Sequence, residues 1–360
     1  MPRTRTRVRT QHSTAGGAAS TFAARAIHIY FNSKRANIAG DLTGQLRSFI
    51  AATKSSLDCA IYDLRAPEIL TALRDVADAG KTLRLAYDGG QKRTGGLMAD
   101  PKPSGTAQAI AAAGLAKFAT PVHMTGRHLM HDKFLVRDGR SVWTGSANFT
   151  VGGLELQDNN CLVLDSAKLA AIYKTIFKDL ITAPLKPASK SAQQPLPIGS
   201  ITFTPYFAPD TGEGVDQLSV RLLEKANKLR LMFFLMSDPD ILGALARFKK
   251  RGADIKGIYD KNGMNDVRRF SKQPQASFWF QNDKRFVAAP SHAFSANREN
   301  DFMHNKTMII DDKIVITGSY NFSENAEAND ENLLLIESRE IARAYSGYFD
   351  ALYLKYGGRL

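Results

Sequence analysis

The stretch HDKFLVRDGRSVWTGSAN, residues 131–148, returns later in the chain as HNKTMIIDDKIVITGSYN, residues 304–321. His131, Lys133, Asp138, Gly145, Ser146 and Asn148 recur as His304, Lys306, Asp311, Gly318, Ser319 and Asn321, all displaced by 173 positions. With each residue type at about 5% frequency, six fixed positions coincide by chance at ~10⁻⁸ per starting point. A conserved spacing in two places therefore indicates an internal duplication.

Outside these stretches the repeat continues. Ala86-Tyr87-Asp88 is answered by Ile258-Tyr259-Asp260, and Pro67 by Pro239, at a displacement of 172. SLDCAIYDL (56–64) and LRLMFFLM (229–236) read as buried strands. Each is followed by a proline and a helix, with apolar faces Ile69, Leu70, Leu73, Val76 and Ile241, Leu242, Leu245, Phe248. Each half reads as strand, helix, strand, long loop, two strands and helix, the alternation of an α/β layered domain. Residues 183–200, APLKPASKSAQQPLPIGS, lack apolar periodicity and read as a linker. The expected organisation is a disordered basic arm at 1–25, a first half at 26–182, the linker at 183–200, and a second half at 201–360.

In an extended segment, side chains two apart share a face, so His131 points with Lys133 and His304 with Lys306. The Gly-Ser turns can bring Ser146 with Asn148, and Ser319 with Asn321, beside those faces. Phosphoryl transfer needs a nucleophile, a proton donor for the leaving oxygen, and positive or hydrogen-bonding groups on the non-bridging oxygens. One half has too few parts. Two halves about a pseudo-twofold axis supply two His, two Lys and two Asn in one shared pocket. Asp138 and Asp311 precede turn residues and read as structural supports of a hairpin.

His131-x-Lys133-x4-Asp138 and His304-x-Lys306-x4-Asp311 resemble the paired HxKxxxxD signatures of the phospholipase D superfamily, across nearly the whole chain outside arm and linker. The resemblance implies two tandem half-domains, each a mixed β-sheet flanked by helices, with one active site. It also implies a covalent phosphohistidine, with His131 as nucleophile and His304 as general acid and base. Lys133, Lys306, Asn148 and Asn321 would hold the phosphate, with Ser146 and Ser319 supporting them. In the family an acidic residue after the Gly-Ser turn orients each histidine, and Glu331 fits that place. An ungapped register puts Asp158 opposite Glu331; a slip of one residue puts Asn159 there instead.

The net charge is +13, with Arg3, Arg5, Arg7 and Arg9 in the arm, which favours polyanionic partners. Residues 264–300 interleave Arg268, Arg269, Lys272, Lys284, Arg285 and Arg298 with Phe270, Trp279, Phe286 and Phe294. Such a segment suits a nucleic-acid groove, although FWF (278–280) also reads as a core strand. Lys92 and Arg93 begin the corresponding loop of the first half, and with Arg268 and Arg269 are candidate substrate contacts. The run GSYNFSENAEANDENLLLI resembles the bacterial nuclease branch, so the expected activity is metal-independent endonucleolytic hydrolysis of nucleic acid. A phospholipase D or phosphatidyltransferase, and a non-catalytic nucleic-acid-binding module, are the alternatives.

No cofactor or metal is expected. His128 and His131 lie three apart with no matching Cys or carboxylate cluster, and neither Ser146 nor Ser319 sits in a G-x-S-x-G elbow. Cys59 and Cys161 lie in apolar runs and read as buried thiols. No run approaches the ~20 apolar residues of a membrane span, and no signal-peptide core follows the arginines. A cytoplasmic protein active as a monomer is expected, though the arm's composition also suits an organelle transit peptide.

Overall fold

The computed structural model describes residues 17–93, 96–97, 105–126, 128–182, 193–209, 214–295 and 298–360. The first half runs β1 (Ala19–Phe22), β2 (Ile27–Asn32), α1 (Leu42–Ala51), β3 (Ser56–Ile61), α2 (Pro67–Asp78), β4 (Thr82–Arg93), β5 (Gly96–Leu97), α3 (Thr106–Ala112) and β6 (Ala119–Thr125). It finishes with β7 (Lys133–Arg137), β8 (Ser141–Gly145), β9 (Asn159–Asp165) and α4 (Ala167–Thr182). The second half runs β10 (Leu196–Ile198), β11 (Ile201–Ala208), α5 (Val215–Lys225), β12 (Lys228–Phe233), α6 (Pro239–Lys250), β13 (Asp254–Asp260) and α7 (Lys261–Phe270). It finishes with β14 (Phe286–Ala289), β15 (Lys306–Ile310), β16 (Ile314–Gly318), β17 (Glu331–Glu337) and α8 (Arg339–Lys355).

The sheet orders are β1-β2-β9-β8-β7-β3-β4-β5, with β6 also on β4, and β10-β11-β17-β16-β15-β12-β13-β14. β3–β4 and β12–β13 pair in parallel across the proline-started helices α2 and α6, whereas β3–β7 and β12–β15 are antiparallel. Both sheets are thus mixed, and the duplication extends to strand order. Each half holds two additional strands and a helix at its start, and a third strand before its last helix, relative to the order read from the sequence.

Three apolar clusters stack through the molecule. One lies under α1 and α2, one under α5 and α6, and the middle one combines β2, β7 and α4 with β11, β15 and α8. Helices α4 and α8 bridge the halves reciprocally. Tyr173 on α4 packs edge-on against Phe207 on β11, while Tyr348 on α8 stacks on Phe31 of β2 and donates to the Asn32 carbonyl. Burying these aromatic rings in one layer fixes one half against the other.

Two expected boundaries shift. Residues 19–22, assigned to the arm, form the edge strand β1, with Ala19 opposite Tyr30; residues 1–16 lie outside the described residues. Residues 196–198, assigned to the linker, form β10 on β11, and residues 183–192 lie outside the described residues. Cys59 and Cys161 are buried free thiols, as expected.

Candidate active site

The two histidines lie just before β7 and β15, in loops that cross between halves. The His131 amide donates to the Asp330 carbonyl at 2.8 Å, and the His304 amide donates to the Asp158 carbonyl at 3.0 Å. Each loop is therefore registered on the segment preceding the last strand of the other half. His131 and His304 are buried and line a single cleft of about 550 Å³ with Asn148 and Asn321.

Side-chain partners are crossed in the same way. His131 Nδ1 lies 2.8 Å from Glu331 Oε2, which also accepts from Ser319 Oγ at 2.6 Å; Asn329 Nδ2 donates to Oε1 at 3.2 Å. His304 Nδ1 lies 3.2 Å from Asn159 Oδ1, which also accepts from Ser146 Oγ at 2.7 Å. The Asn159 amide is held by donation to the Gly153 carbonyl and to Gln157 Oε1. Its oxygen must therefore face His304, and Nδ1 carries the proton. In both rings Nε2 is left available to the cleft.

Asn159, and not Asp158, thus stands opposite Glu331, and it serves His304 rather than His131. Asn148 and Asn159 are separated by 11 positions, Asn321 and Glu331 by 10. A π-turn at Gly152–Leu156 holds the extra residue where the second half has a 3-10 turn at Glu324–Ala328. A π-turn is the usual way to absorb a one-residue insertion in a helical segment. Asp158 instead accepts from Tyr356 Oη at 2.5 Å, and burial pushes its carboxyl up to about 6.

Lys133 and Lys306 are fully buried beside the imidazoles. Each folds back to donate to the carbonyl of its own histidine, at 2.8 and 2.7 Å. Burial lowers Lys133 to about 8, against the opposing pull of Glu331, and lowers Lys306 well below the usual amine range, with Lys133 adding repulsion. Burial and these two ammonium groups push both imidazoles well below the ordinary histidine range. Burial raises Glu331 to about 7. At neutral pH both rings are neutral in a positive field that awaits an anion. Asn148 Oδ1 and Asn321 Oδ1 are buried without a protein partner.

Two aromatic rings complete the floor, and the sequence reading did not single them out. Tyr62 packs on His131 with centroids 4.9 Å apart, and Phe234 packs on His304 at 5.1 Å. The same rings lie under the lysine ammonium groups, at 5.5 and 5.3 Å. Their displacement of 172 residues was the available signal.

Asp138 and Asp311 sit elsewhere. Asp138 accepts from the Ser55 and Ser56 amides, at 2.7 and 3.0 Å, and from the Ser55 hydroxyl; Asp311 accepts from the Asn227 and Lys228 amides at 2.9 and 2.8 Å. They tie each hairpin to the start of the neighbouring strand. Arg268 and Arg269 do not line the cleft. Gly263, Asp266, Val267 and Phe270 do, at the spacing of one helix face, which turns the two arginines away. Arg268 contacts the Gln275 side chain and Arg269 lies over the Phe270 ring. Lys92 and Arg93 lie on β4, and their side chains fall outside the described residues. Phe278 and Phe280 are core residues in a 3-10 segment rather than a strand.

The description "Cardiolipin synthase, PLD-like domain" belongs to a family profile that matches residues 46–181 and 220–353, one match per half. The chain belongs to the phospholipase D superfamily. A "Phospholipase D" of Rickettsia prowazekii is 34% identical over 141 residues, covering 39% of this chain and 62% of that protein. A "Mitochondrial cardiolipin hydrolase" of Xenopus tropicalis is 27% identical over 149 residues, 41% of this chain and 65% of that protein. These matches span under two thirds of either relative. The crystal structure of a phosphatidylserine synthase from Haemophilus influenzae superposes with a TM-score of 0.64 over 90% of this chain and 86% of that one, at 16% identity, and shares the fold. Among the described residues of this phospholipase D-superfamily chain, no helix is long and apolar enough to cross a membrane.

Proposed function

We propose that the chain is a metal-independent phosphodiesterase that works through a covalent phosphohistidine and takes phospholipid as its substrate. The observation that carries the chemistry is the pair of buried imidazoles facing one cleft with unequal partners. Glu331 on Nδ1 raises the basicity of His131 Nε2 and stabilises the cation that forms when it bonds to phosphorus, so His131 is the nucleophile. The neutral Asn159 fixes the His304 tautomer without stabilising its cation, so His304 readily releases a proton. His304 takes up a second proton, on Nε2, as the anionic phosphodiester enters the cleft; His131 Nε2 then attacks phosphorus as the bond to the leaving alkoxide breaks, and the His304 imidazolium gives its Nε2 proton to that oxygen. His304 then takes a proton from water, whose oxygen attacks phosphorus and breaks the P–N bond. Lys133, Lys306, Asn148 and Asn321 hold the non-bridging oxygens. One chain carries both His-Lys pairs, so a monomer is competent.

For the substrate, the cleft wall supports lipid. Leu129, Phe234, Leu235, Val267, Phe270 and Phe302 line it, and Asp63, Asp266 and Glu299 share that lining. Leucine and valine offer acyl chains a surface but stack poorly with bases; Arg65 in the same lining pairs with Asp63 and Glu299, so the carboxylates add little to the choice. The names of the Rickettsia and Xenopus relatives agree with this reading. The net charge of +13 favours the second reading, an endonuclease on nucleic acid.

The test is hydrolysis of phospholipid in mixed micelles, single-stranded DNA and RNA in EDTA, by wild type, His131→Ala and His304→Ala. Release of head group, abolished by both substitutions, is expected, with a phosphatidyl group on a His131 peptide after acid-free quenching. Cleavage of nucleic acid with intact lipid would move the substrate to the second reading.

A further inference from the structure

Among the described residues the large exposed apolar side chains are Phe270, Phe294, Leu354 and Leu360. Two of the four, Phe270 at 73% exposure and Phe294 at 58%, line the cleft, from two different segments. Phe270 ends α7, a helix with only Met264 buried, so most of this helix rides on the surface beside the cleft. From 261 to 272 the chain carries Lys261, Arg268, Arg269 and Lys272 against the single carboxylate of Asp266, and Arg298 follows Phe294 closely. These cations are exposed, and the Arg269 guanidinium lies 5.1 Å from the centre of the Phe270 ring.

We infer that this rim is a membrane-contact patch, in which Phe270 and Phe294 enter the interface of an anionic lipid surface and Arg268, Arg269 and Lys272 meet its head groups. This rests on the phospholipid reading of the cleft. Exposed rings beside exposed cations are the combination that binds anionic interfaces, with apolar area and charge contributing together. Phe270 and Phe294 line the cleft themselves, so a lipid held at this rim need travel only from the bilayer surface into the cleft. The charge complementarity names the occupant: a neutral partner would not call for exposed Arg268, Arg269 and Lys272 in the segment that carries the exposed Phe270 ring.

The experiment is sedimentation of the full chain with sucrose-loaded vesicles of phosphatidylcholine alone or with 30% phosphatidylglycerol, roughly a typical anionic fraction, beside single-stranded DNA binding. Wild type should bind the anionic vesicles at least about tenfold more tightly than the neutral ones. Arg268→Gln with Arg269→Gln and Lys272→Gln should erase that preference while leaving hydrolysis of soluble bis(p-nitrophenyl) phosphate unchanged, since these side chains lie outside the cleft. Phe270→Ser with Phe294→Ser should reduce binding to both vesicle types. Equal binding to both vesicles, or loss of DNA binding by the glutamine variant without vesicle binding in wild type, overturns the inference. Micellar lipid hydrolysis without vesicle binding sinks this patch and leaves the lipid reading standing; vesicle binding without lipid hydrolysis does the reverse.

Discussion

His131 Nδ1 and Glu331 Oε2, 200 residues apart in sequence, stand 2.8 Å from each other in the buried seam between halves. Replacing the carboxylate by an amide removes charge but keeps the shape. Glu331→Gln is expected to lower kcat by roughly 10²–10⁴, the span for a group that orients and charges a catalytic imidazole. The matching change, Asn159→Asp, gives His304 a carboxylate and raises its pKa, so protonated His304 persists to higher pH. Steady-state rates against pH check both. An unaltered profile in Asn159→Asp would show that the partner residue does not control His304.

How much of this could be read in advance follows from where the information sits. The two halves and their paired motifs show in one chain as a fixed displacement of 173. The crossing of partners does not, because it depends on long-range bridges, Met130 with Asp330 and Asp158 with Met303, that join the halves. The choice between Asp158 and Asn159 turned on a one-residue insertion taken up by a π-turn, which leaves no periodic trace. The aromatic and basic residues of 264–300 looked alike in sequence, but packing divides them: Phe278, Phe280 and Phe286 enter the core while Phe270 and Phe294 stay on the cleft rim.

On the proposed mechanism Lys133 should set the alkaline side of activity. Its folded pKa of about 8 lies below the usual amine value, so the ammonium is present below that pH and lost as pH rises through it. The kcat/KM of wild type should therefore fall above about pH 8, even though free lysine stays charged to ~10.4. Lys133→Met should lose about 10²–10³ in kcat/KM. Rates on a soluble diester from pH 6 to 10 test this; a flat profile to pH 10 would remove Lys133 from phosphate binding.

Asp132 is a buried carboxyl with Oδ1 unpartnered, and burial together with Asp330 and Glu331 raises its pKa well above the ordinary value. The second half has Asn305 at the same place, donating to the Asp158 carbonyl and Tyr348 Oη. A raised folded pKa favours the protonated form, so this group is least unfavourable below its unfolded pKa and opposes folding as pH climbs. Asp132→Asn should stabilise the fold by about 1–3 kcal/mol at pH 7, the scale of one unsatisfied buried polar group. The gain should shrink as pH falls towards 4. Urea unfolding at pH 7 and pH 4.5 measures it.

Asp138 separates support from chemistry. It sits at a left-handed φ of 55° and caps three amides and a hydroxyl at the start of β3, and those hydrogen bonds hold its pKa down at about 2. Because the folded pKa is depressed, its contribution is present above the unfolded carboxylate value and is lost as pH falls through about 2. Asp138→Ala should cost about 0.5–1.5 kcal/mol at pH 7 by exchanging those hydrogen bonds for water, and the difference from wild type should fade as pH approaches 2. The pH profile of the remaining activity should keep its shape, since no atom of Asp138 reaches the cleft lining. A displaced kcat profile in a stably folded Asp138→Ala protein would instead place this aspartate in the reaction.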